Sequence, residues 1–190
     1  SAASDVYKRQ ITEFFDMQLA ESIVQTHGKA DAILSANVMC HIPYMHSIYD
    51  GVKFLLKEDG VFIFEDPYLG EVIEKSSFDQ IYDEHVFLFS ALSISHLANM
   101  HDLELIDVEH QITHGGSMRY TIAHKGSKDV STNVYELVQR EKELGLDTHS
   151  AYEGFADSVD KIKYDLILKL HWFICLLLCT ENIKLCNSHL

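Results

Sequence analysis

The sequence predicts an α/β fold in which a doubly wound sheet is closed by an antiparallel pair of strands. Two short apolar runs, "ADAILSANV" (30–38) and "VFIFED" (61–66), are typical of buried parallel strands, and a helical pattern precedes each of them. Two later segments alternate apolar and polar residues, as antiparallel strands do. The order helix, strand, helix, strand indicates a doubly wound sheet.

Each of the two apolar strands follows an amphipathic helix. In residues 14–26 the apolar positions recur at helical spacing, and Gly28 is expected to end the helix. The segment "MHSIYDGVKFLLKEDG" (45–60) is amphipathic in the same way. We expect it to end in a turn at Asp59 and Gly60.

The second half of the chain is predicted to close the sheet and then to become helical. A helix over about 91–101 leads into the alternating segments 103–112 and 117–125, which "THGG" joins. We interpret these segments as an antiparallel pair at the edge of the sheet. Two polar helices follow, near 131–144 and 150–169.

Composition excludes several classes of partner. The chain of 190 residues carries 15 basic and 29 acidic side chains, a formal charge of −14, and has no cluster of Lys and Arg. A nucleic acid partner is therefore not expected, because binding a phosphate backbone relies on such clusters. The apolar run after residue 170 is shorter than the roughly 20 residues that a membrane span needs. Without a secretory leader pattern, we expect a cytoplasmic protein.

We divide the chain into four parts. Residues 1–10 are interpreted as a non-native leader, 11–130 as a partial catalytic domain and 131–170 as a helical linker into a truncated C-terminal domain. Residues 171–190 are atypical, with three of the four cysteines, and we interpret them as a non-native tail, with a buried terminal helix as the alternative. A zinc site remains a further alternative for the tail, through His171, Cys175, Cys179, Cys186 and His189.

The segment "SSFDQIYDEHVFLFS" (76–90) has the strongest chemical signal in the chain. It places a phenol, two carboxylates and an imidazole at four consecutive positions, 82–85. A His beside a carboxylate can act as a general base, because the unperturbed pKa of His, about 6.5, lies near neutral pH. Three aromatic residues would exclude water from these groups: Phe78, Phe87 and Phe89. The alternative is a helix or loop whose charges face water while Ile81 and Val86 enter the core.

Further candidates stand where the predicted strands end. Ligands of doubly wound sheets bind at the carboxyl ends of the strands, where Asn37 and His41 follow the first strand and Glu65 and Asp66 end the second. We take Asn37 as a cofactor-binding candidate and Glu65 as a substrate-binding candidate.

The glycine pair in "THGGSMR" (113–119) would let the backbone approach a ligand, and three residues around it are candidates for binding a substrate: His114, Ser117 and Arg119. A hairpin turn alone also explains the glycines. A metal centre is a separate alternative, in which a carboxylate joins His41, His46, His85 and His114.

Four segments together resemble the sugar C-methyltransferases. They are "ADAILSANVMCHI", "LLKEDGVFIFEDPYL", "FDQIYDEHVFLFS" and "HGGSMRY", and the resemblance runs from about Phe14 to Leu170. Members of that family depend on S-adenosylmethionine and act on nucleotide-linked keto-deoxysugars. The resemblance implies a class I methyltransferase sheet of the Rossmann-like type. The two apolar runs would be its fourth and fifth strands, and the alternating pair its last two.

The resemblance also implies catalytic roles. It places the family's catalytic Tyr, Glu and His on Tyr82, Glu84 and His85, and its His at the end of the fourth strand on His41. His85 or Glu84 would remove a proton next to a ketone, and the enolate would attack the methyl group of the cofactor. Tyr82 and His41 would hydrogen-bond the developing oxyanion.

The resemblance implies, finally, that this chain is an internal fragment that binds the cofactor poorly. The family binds its cofactor through a glycine-rich turn, and no G-x-G occurs among the nine glycines here. The family's cysteine-rich zinc module is also absent from the sequence. A catalytically silent binding domain of the same fold is the second hypothesis, favoured by Asp83, where the family usually has a second His.

Overall fold

The protein folds around a mixed four-stranded sheet, as the sequence predicts. The computed structural model describes residues 10–187, with side chains described as far as residue 176. The strands are β1 (Ala30–Ala36), β2 (Leu56–Pro67), β3 (Leu103–Gln111) and β4 (Ser117–His124). Their order in the sheet is β1-β2-β4-β3. β1 runs parallel to β2, and the other neighbours pair antiparallel, so the expected α/β class and closing pair are confirmed.

The described part of the chain contains six α-helices. They are α1 (Met17–His27), α2 (Met45–Leu55), α3 (Leu69–Lys75), α4 (Ala91–Met100), α5 (Thr132–Glu143) and α6 (His149–Asn187). Side-chain caps explain where two of these helices begin. The Asp16 carboxylate accepts the Leu19 N–H at 2.8 Å before α1, and Ser90 forms a capping box with Ser93 before α4. These caps satisfy N–H groups that have no partner within a helix.

Aromatic side chains on one face of β2 and β4 form the centre of the core. Phe62, Phe64 and Tyr120 are almost completely buried, and the rings of Phe64 and Tyr120 stack with centroids 4.9 Å apart. Alternate residues of β2 point to this face because side chains alternate along a strand. The same alternation sends Glu65 to one side of the sheet and Asp66 to the other.

β1 differs from the buried strand that its apolar composition predicts. It pairs with β2 alone among the described residues, and the Leu34 side chain is 74% exposed. The apolar run predicts a strand covered on both faces, whereas here it forms the edge of the sheet. Apolar composition alone does not distinguish these two positions.

The predicted turn at Asp59 and Gly60 is wrong, because α2 ends at Leu55 and both residues lie within β2. The sheet absorbs the extra residues as an irregularity: Ala30 pairs with Leu56, and Ala32 with Val61. A side chain at position 60 would lie 2.9 Å from the Ala30 carbonyl oxygen, which explains the glycine there. α3 was not predicted, because seven residues are too few to show a helical period.

α6 continues through the boundary at residue 170 that the change of composition suggested. Its described apolar side chains near that boundary are about half exposed, including those of Trp172 and Phe173, so up to residue 176 this is not a buried terminal helix. None of the described helices is both long and apolar enough to span a membrane. The interpretation of the leader falls almost entirely on residues 1–9, outside the described residues. The side chains of Cys179, Cys186 and His189, which belong to the zinc alternative for the tail, also lie outside the described part of the structure.

Candidate active site

The candidate site lies where β1 and β2 end. β1 is followed by a short 3₁₀ turn, Met39–His41. Asn37, between them, has a φ of 54°, a left-handed conformation that Asn adopts more readily than most residues. Its N–H donates to the Glu65 carbonyl oxygen at 2.8 Å, which holds the start of the turn against the end of β2.

The loop that carries residues 82–85 packs on this turn. The Phe87 N–H donates to the Cys40 carbonyl oxygen at 3.1 Å. His41 Nδ1 lies 2.7 Å from the Glu84 carbonyl oxygen. Two hydrogen bonds therefore bring the loop before α4 against the residues that follow β1, and the backbone of the loop positions the His41 side chain.

Three of the four predicted catalytic residues meet at this contact. The Tyr82 hydroxyl lies 2.9 Å from His85 Nε2, and the two rings are 4.1 Å apart between centroids. The His41 ring is 4.9 Å from the His85 ring, tilted by 48°. A phenol and two imidazoles thus form one cluster, which we call the Tyr82–His85–His41 cluster.

Backbone carbonyls fix the tautomers of both imidazoles. His85 Nδ1 lies 2.8 Å from the Gln80 carbonyl oxygen, and His41 Nδ1 makes the equivalent contact with Glu84. A carbonyl oxygen only accepts, so each Nδ1 carries a hydrogen, and in a neutral ring Nε2 keeps its lone pair. His85 Nε2 accepts the Tyr82 O–H. In the neutral form of each ring, Nε2 is therefore a hydrogen-bond acceptor and Nδ1 is the donor.

The predicted water-poor frame is wrong in part. Phe89 is buried, but Phe78 and Phe87 are 46% and 37% exposed, and Tyr82 itself is 43% exposed. The loop lies on the surface, so only one of the three aromatic residues enters the core. The alternative in which Ile81 and Val86 enter the core is also wrong, since both are about half exposed.

Glu84 contributes its carbonyl oxygen to the cluster and not its carboxylate. The residue is exposed, and no hydrogen bond joins its carboxylate to any residue that the structure describes. The family resemblance implied that the side chains of residues 82, 84 and 85 act together. In a loop of this shape, side chains two positions apart diverge while their backbones remain close.

Two buried residues lie beside the cluster: Cys40, which was not a candidate, and Asp66, which was noted at the end of its strand but given no role. Cys40 is 1% exposed, and burial, with a further effect from the Asp66 carboxylate, raises the pKa of its thiol to about 12. Asp66 is fully buried, and burial raises the pKa of its carboxyl. Its Oδ1 accepts the Cys40 N–H at 3.4 Å, and its Oδ2 has no partner in the described structure. Their positions at the two strand ends are the signal that could have identified them.

The predicted substrate-binding residues lie in a separate group. Arg119 pairs with Glu65 at 3.0 Å and with Glu109 at 2.8 Å, so its charge is already neutralised by two carboxylates. Thr113 donates to Glu65 as well, at 3.1 Å. Because Glu65 and Asp66 point to opposite faces of the sheet, this group and the Tyr82–His85–His41 cluster do not share one face.

The backbone conformation and packing of the turn between β3 and β4 explain its glycine pair. His114 has a φ of 51° and is exposed, and Ser117 is buried, with its hydroxyl donating to the Thr113 carbonyl oxygen at 3.2 Å. Gly116 has a φ of 137°, and a side chain there would meet Glu71 at 2.6 Å. The hairpin turn therefore accounts for Gly116 and Ser117 without a ligand.

The proposed metal alternative is only partly assembled. His46 Nδ1 lies 2.9 Å from His101 Nε2, and His101 in turn contacts Asp50 at 2.6 Å, so His46 belongs to another cluster. In place of that set, the described residues bring together Cys40, His41 and His85, whose ligand atoms lie within 4.8 Å of one another.

An apolar cavity of about 590 Å³ is lined by the residues that follow His41 and His85 in the chain. Residues 43–47 form one side, residues 87–89 another, and α4 the third. A smaller cavity of about 320 Å³ runs along β1 and β2 and includes Glu65 and Arg119. The larger cavity is of small-molecule size, and its lining begins two residues after His41 and two after His85 but includes none of the three cluster residues.

Sequence profiles of two methyltransferase domains match the chain. A profile of the methyltransferase domain matches residues 2–108, more than half of the chain. A profile of the C-methyltransferase C-terminal domain matches residues 112–173. The first match includes the whole Tyr82–His85–His41 cluster.

The chain is also similar to individual proteins. It is 32% identical over 162 residues to the C-methyltransferase NovU of Streptomyces niveus, which covers 85% of this chain and 39% of that protein. The chain thus spans about two fifths of the length of this curated relative.

Two solved structures are similar at a lower level. One is a SAM-dependent methyltransferase from Anabaena variabilis, with a TM-score of 0.44, 15% identity and coverage of 58% of this chain and 55% of that one. The other is magnesium protoporphyrin IX methyltransferase (ChlM) from Synechocystis with bound SAH, with a TM-score of 0.38, 14% identity and coverage of 54% and 48%.

Proposed function

Because the chain belongs to the methyltransferase domain family, we propose that it carries the catalytic cluster of a C-methyltransferase. The cofactor would be S-adenosylmethionine, and the substrate a nucleotide-linked keto-deoxysugar. The observation that supports this most is the Tyr82–His85–His41 cluster, since a basic nitrogen and a phenol at one point suit the removal of a proton next to a ketone. The similarity to NovU supports transfer to carbon.

The residues at the end of β1 fit such a cofactor, which supplies a methyl group made electrophilic by a positively charged sulfonium. Asn37 directly follows β1 and is exposed, and its side-chain amide has no hydrogen bond to a described residue. The turn after it carries His41, so a cofactor held there would lie next to the Tyr82–His85–His41 cluster. We propose that Asn37 and the turn after β1 hold the cofactor.

His85 is the proposed base. Its Nδ1–H donates to the Gln80 carbonyl oxygen, so the lone pair of Nε2 takes the proton from the sugar carbon. The carbonyl also stabilises the imidazolium that forms, because Nδ1 remains a donor. Glu84 is the weaker choice, because its carboxylate is exposed and makes no contact with the cluster.

Tyr82 is the proposed donor to the developing enolate oxygen. Its O–H already points at the cluster, and on substrate binding it would exchange His85 Nε2 for the oxyanion. His41 is restricted by its contact with Glu84: with Nδ1 as the donor to that carbonyl, Nε2 donates to an oxyanion only when the ring is protonated. In its neutral form His41 would accept a hydrogen bond from the substrate instead.

The sugar would lie in the cavity of about 590 Å³ beside the cluster. Of the predicted substrate-binding residues, Arg119 and Glu65 would bind a substrate only after breaking their ion pair, and Ser117 is buried in the turn. His114 is exposed and keeps its side chain available for a substrate.

Proton exchange tests this proposal without the cofactor. The chain would be incubated in deuterated water with a nucleoside-diphosphate-linked 4-keto-6-deoxyhexose, and mass spectrometry would follow the deuterium that enters next to the ketone. We expect exchange well above the rate without protein. No acceleration would contradict the proposed function and favour a silent binding domain.

Calorimetry tests the cofactor separately. Because the sequence has no glycine-rich turn, we expect the 190-residue chain to bind S-adenosylmethionine weakly. Micromolar affinity would show that the residues present form a complete site, and would contradict this expectation.

A further inference from the structure

Three potential metal ligands converge at the cluster: its own His41 and His85, and the neighbouring Cys40, which has no role in the proposed reaction. Cys40 Sγ and one nitrogen each of His41 and His85 lie within 4.8 Å of one another. A tetrahedral zinc ion holds sulfur and nitrogen ligands roughly 3.6 Å apart, given Zn–S and Zn–N bonds of roughly 2.3 and 2.1 Å. Rotations that move these atoms by about 1 Å would bring them to that separation. Thiolate and imidazole are the donors that zinc prefers.

The hydrogen bonds of the two imidazoles are those of metal-binding histidines. In such sites Nδ1–H commonly donates to a backbone carbonyl or carboxylate, which fixes the ring and leaves Nε2 to bind the metal. His41 and His85 both have this arrangement, with Nδ1 at 2.7 and 2.8 Å from carbonyl oxygens. The partner of His85 Nε2 is the Tyr82 hydroxyl, which an entering ion would displace.

A buried carboxylate next to Cys40 has one oxygen without a hydrogen-bond partner in the described structure. Asp66 is fully buried at the end of β2, and its Oδ2 has no partner among the described residues. An unpaired carboxylate away from water costs free energy, which a cation nearby would recover. Because Asp66 Oδ1 accepts the Cys40 N–H at 3.4 Å, a positive ion bound by Cys40 would lie close to this carboxylate.

We propose that Cys40, His41 and His85 bind a divalent ion of the zinc class through Cys40 Sγ and the two Nε2 atoms. The Cys40 thiol releases its proton to solvent when the Zn–S bond forms, and both imidazoles bind in their neutral form. A water molecule completes the four-coordinate site.

The site has a consequence for catalysis that, unlike the site itself, rests on the proposed function. An ion on His85 Nε2 occupies the lone pair that removes the proton from the sugar. Zinc would therefore inhibit proton exchange, and a chelator would restore it.

Cobalt(II) provides the direct test, because a thiolate ligand gives a charge-transfer band and a tetrahedral site gives strong visible bands. The probe is cobalt chloride titrated into the reduced 190-residue chain under argon. We expect both bands to saturate at one equivalent, and zinc chloride to abolish them. The readout needs neither cofactor nor sugar, so it remains valid if the proposed function fails.

Variants locate the ion. The triple variant Cys175→Ser, Cys179→Ser, Cys186→Ser retains Cys40 as its one thiol and should keep both bands. Cys40→Ser should lose the charge-transfer band. Since Cys40 is buried and this variant could unfold, His41→Ala and His85→Ala provide a second measurement, and each should weaken cobalt binding at least tenfold. Bands that survive in Cys40→Ser, or that vanish in the triple variant, would overturn the proposal.

Discussion

At the scale of single residues, the site depends on which atoms the backbone leaves available. Carbonyl oxygens of Gln80 and Glu84 hold Nδ1 of His85 and His41, so the reactive atom of each ring is Nε2. The same loop that fixes these rings turns the Glu84 carboxylate towards solvent. A sequence lists side chains in order, but it does not show which of them a loop brings together.

Tyr82→Phe tests the role of the phenol. The variant keeps the ring against His85 and removes only the hydroxyl that we propose donates to the enolate oxygen. Loss of one such donor typically slows catalysis by about 10²-fold or more, and we expect a decrease of that size in deuterium exchange. Tyr135→Phe is the matched control, because Tyr135 is exposed on α5. Equal exchange rates in the two variants would exclude Tyr82 from the reaction.

At the scale of elements, short connections determine where the site residues lie. The Met39–His41 turn, the loop before α4 and the turn after β3 each depend on a few backbone hydrogen bonds. The sequence predicted the strands and most helices, because period and composition extend over many residues. The short α3 and the bulge in β2 were not predicted, since each depends on packing rather than on a repeating pattern.

Gly116→Ala tests the turn before β4. Gly116 has a φ of 137°, and an added Cβ would lie 2.6 Å from the Glu71 side chain on α3. We expect the free energy of unfolding to fall by about 2–3 kcal/mol, as measured by chemical denaturation. Gly126→Ala is the control: its φ is 73° and no atom lies within 4 Å, so the loss should be about 1 kcal/mol. A loss of stability no greater than that of the control would show that the Glu71 side chain moves away from the added methyl group at little cost in free energy.

Glu141 links α5 to the start of α4 and gives a prediction about pH. Its buried carboxylate accepts the N–H groups of Ala91 and Leu92 at 2.7 and 2.8 Å, yet burial outweighs these bonds and raises its pKa above the usual 4.5. The folded chain therefore takes up this proton at a higher pH than the unfolded chain. The stability that protonation adds is fully present below pH 4.5 and is lost as the pH rises through the raised pKa.

The measurement compares the native chain with Glu141→Gln by chemical denaturation between pH 7 and pH 4.5. We expect the native chain to gain stability relative to the variant as the pH falls. Glu143→Gln, on the same helix but exposed, corrects for the general effect of removing a negative charge. A relative stability that declines with falling pH would mean that the two backbone bonds outweigh burial.

At the scale of the whole molecule, the two edges of the described sheet differ: helices pack near the edge strand β3, whereas the edge strand β1 is exposed. α4 and α5 pack near β3, whereas β1 has a single described neighbour and exposes Leu34. The sequence was sufficient to predict the order of the four strands and of the α-helices other than α3. It was not sufficient to predict that β1 is an edge, or that Cys40 and Asp66 lie beside the cluster, because both depend on which elements become neighbours in space.

Leu34→Lys tests whether the open strand promotes association. Charged side chains on an edge strand prevent it from pairing with another chain, so this variant should stay monodisperse at higher concentration in light scattering. Its free energy of unfolding should change by less than about 0.5 kcal/mol, since the side chain is mostly exposed. Ile112→Lys makes the same change at an exposed residue outside the strands. If both variants resist association equally, the edge has no special role.

Deuterium exchange by His85→Asn tests the central proposal, that His85 Nε2 removes the proton next to the ketone. Asn at this position keeps polarity but has no basic nitrogen, and His96→Asn, exposed on α4, is the matched control. General base catalysis typically contributes about 10²–10⁴-fold, so exchange by His85→Asn should fall at least about 10²-fold while the control retains the native rate. Native exchange in His85→Asn would contradict the assignment of the base.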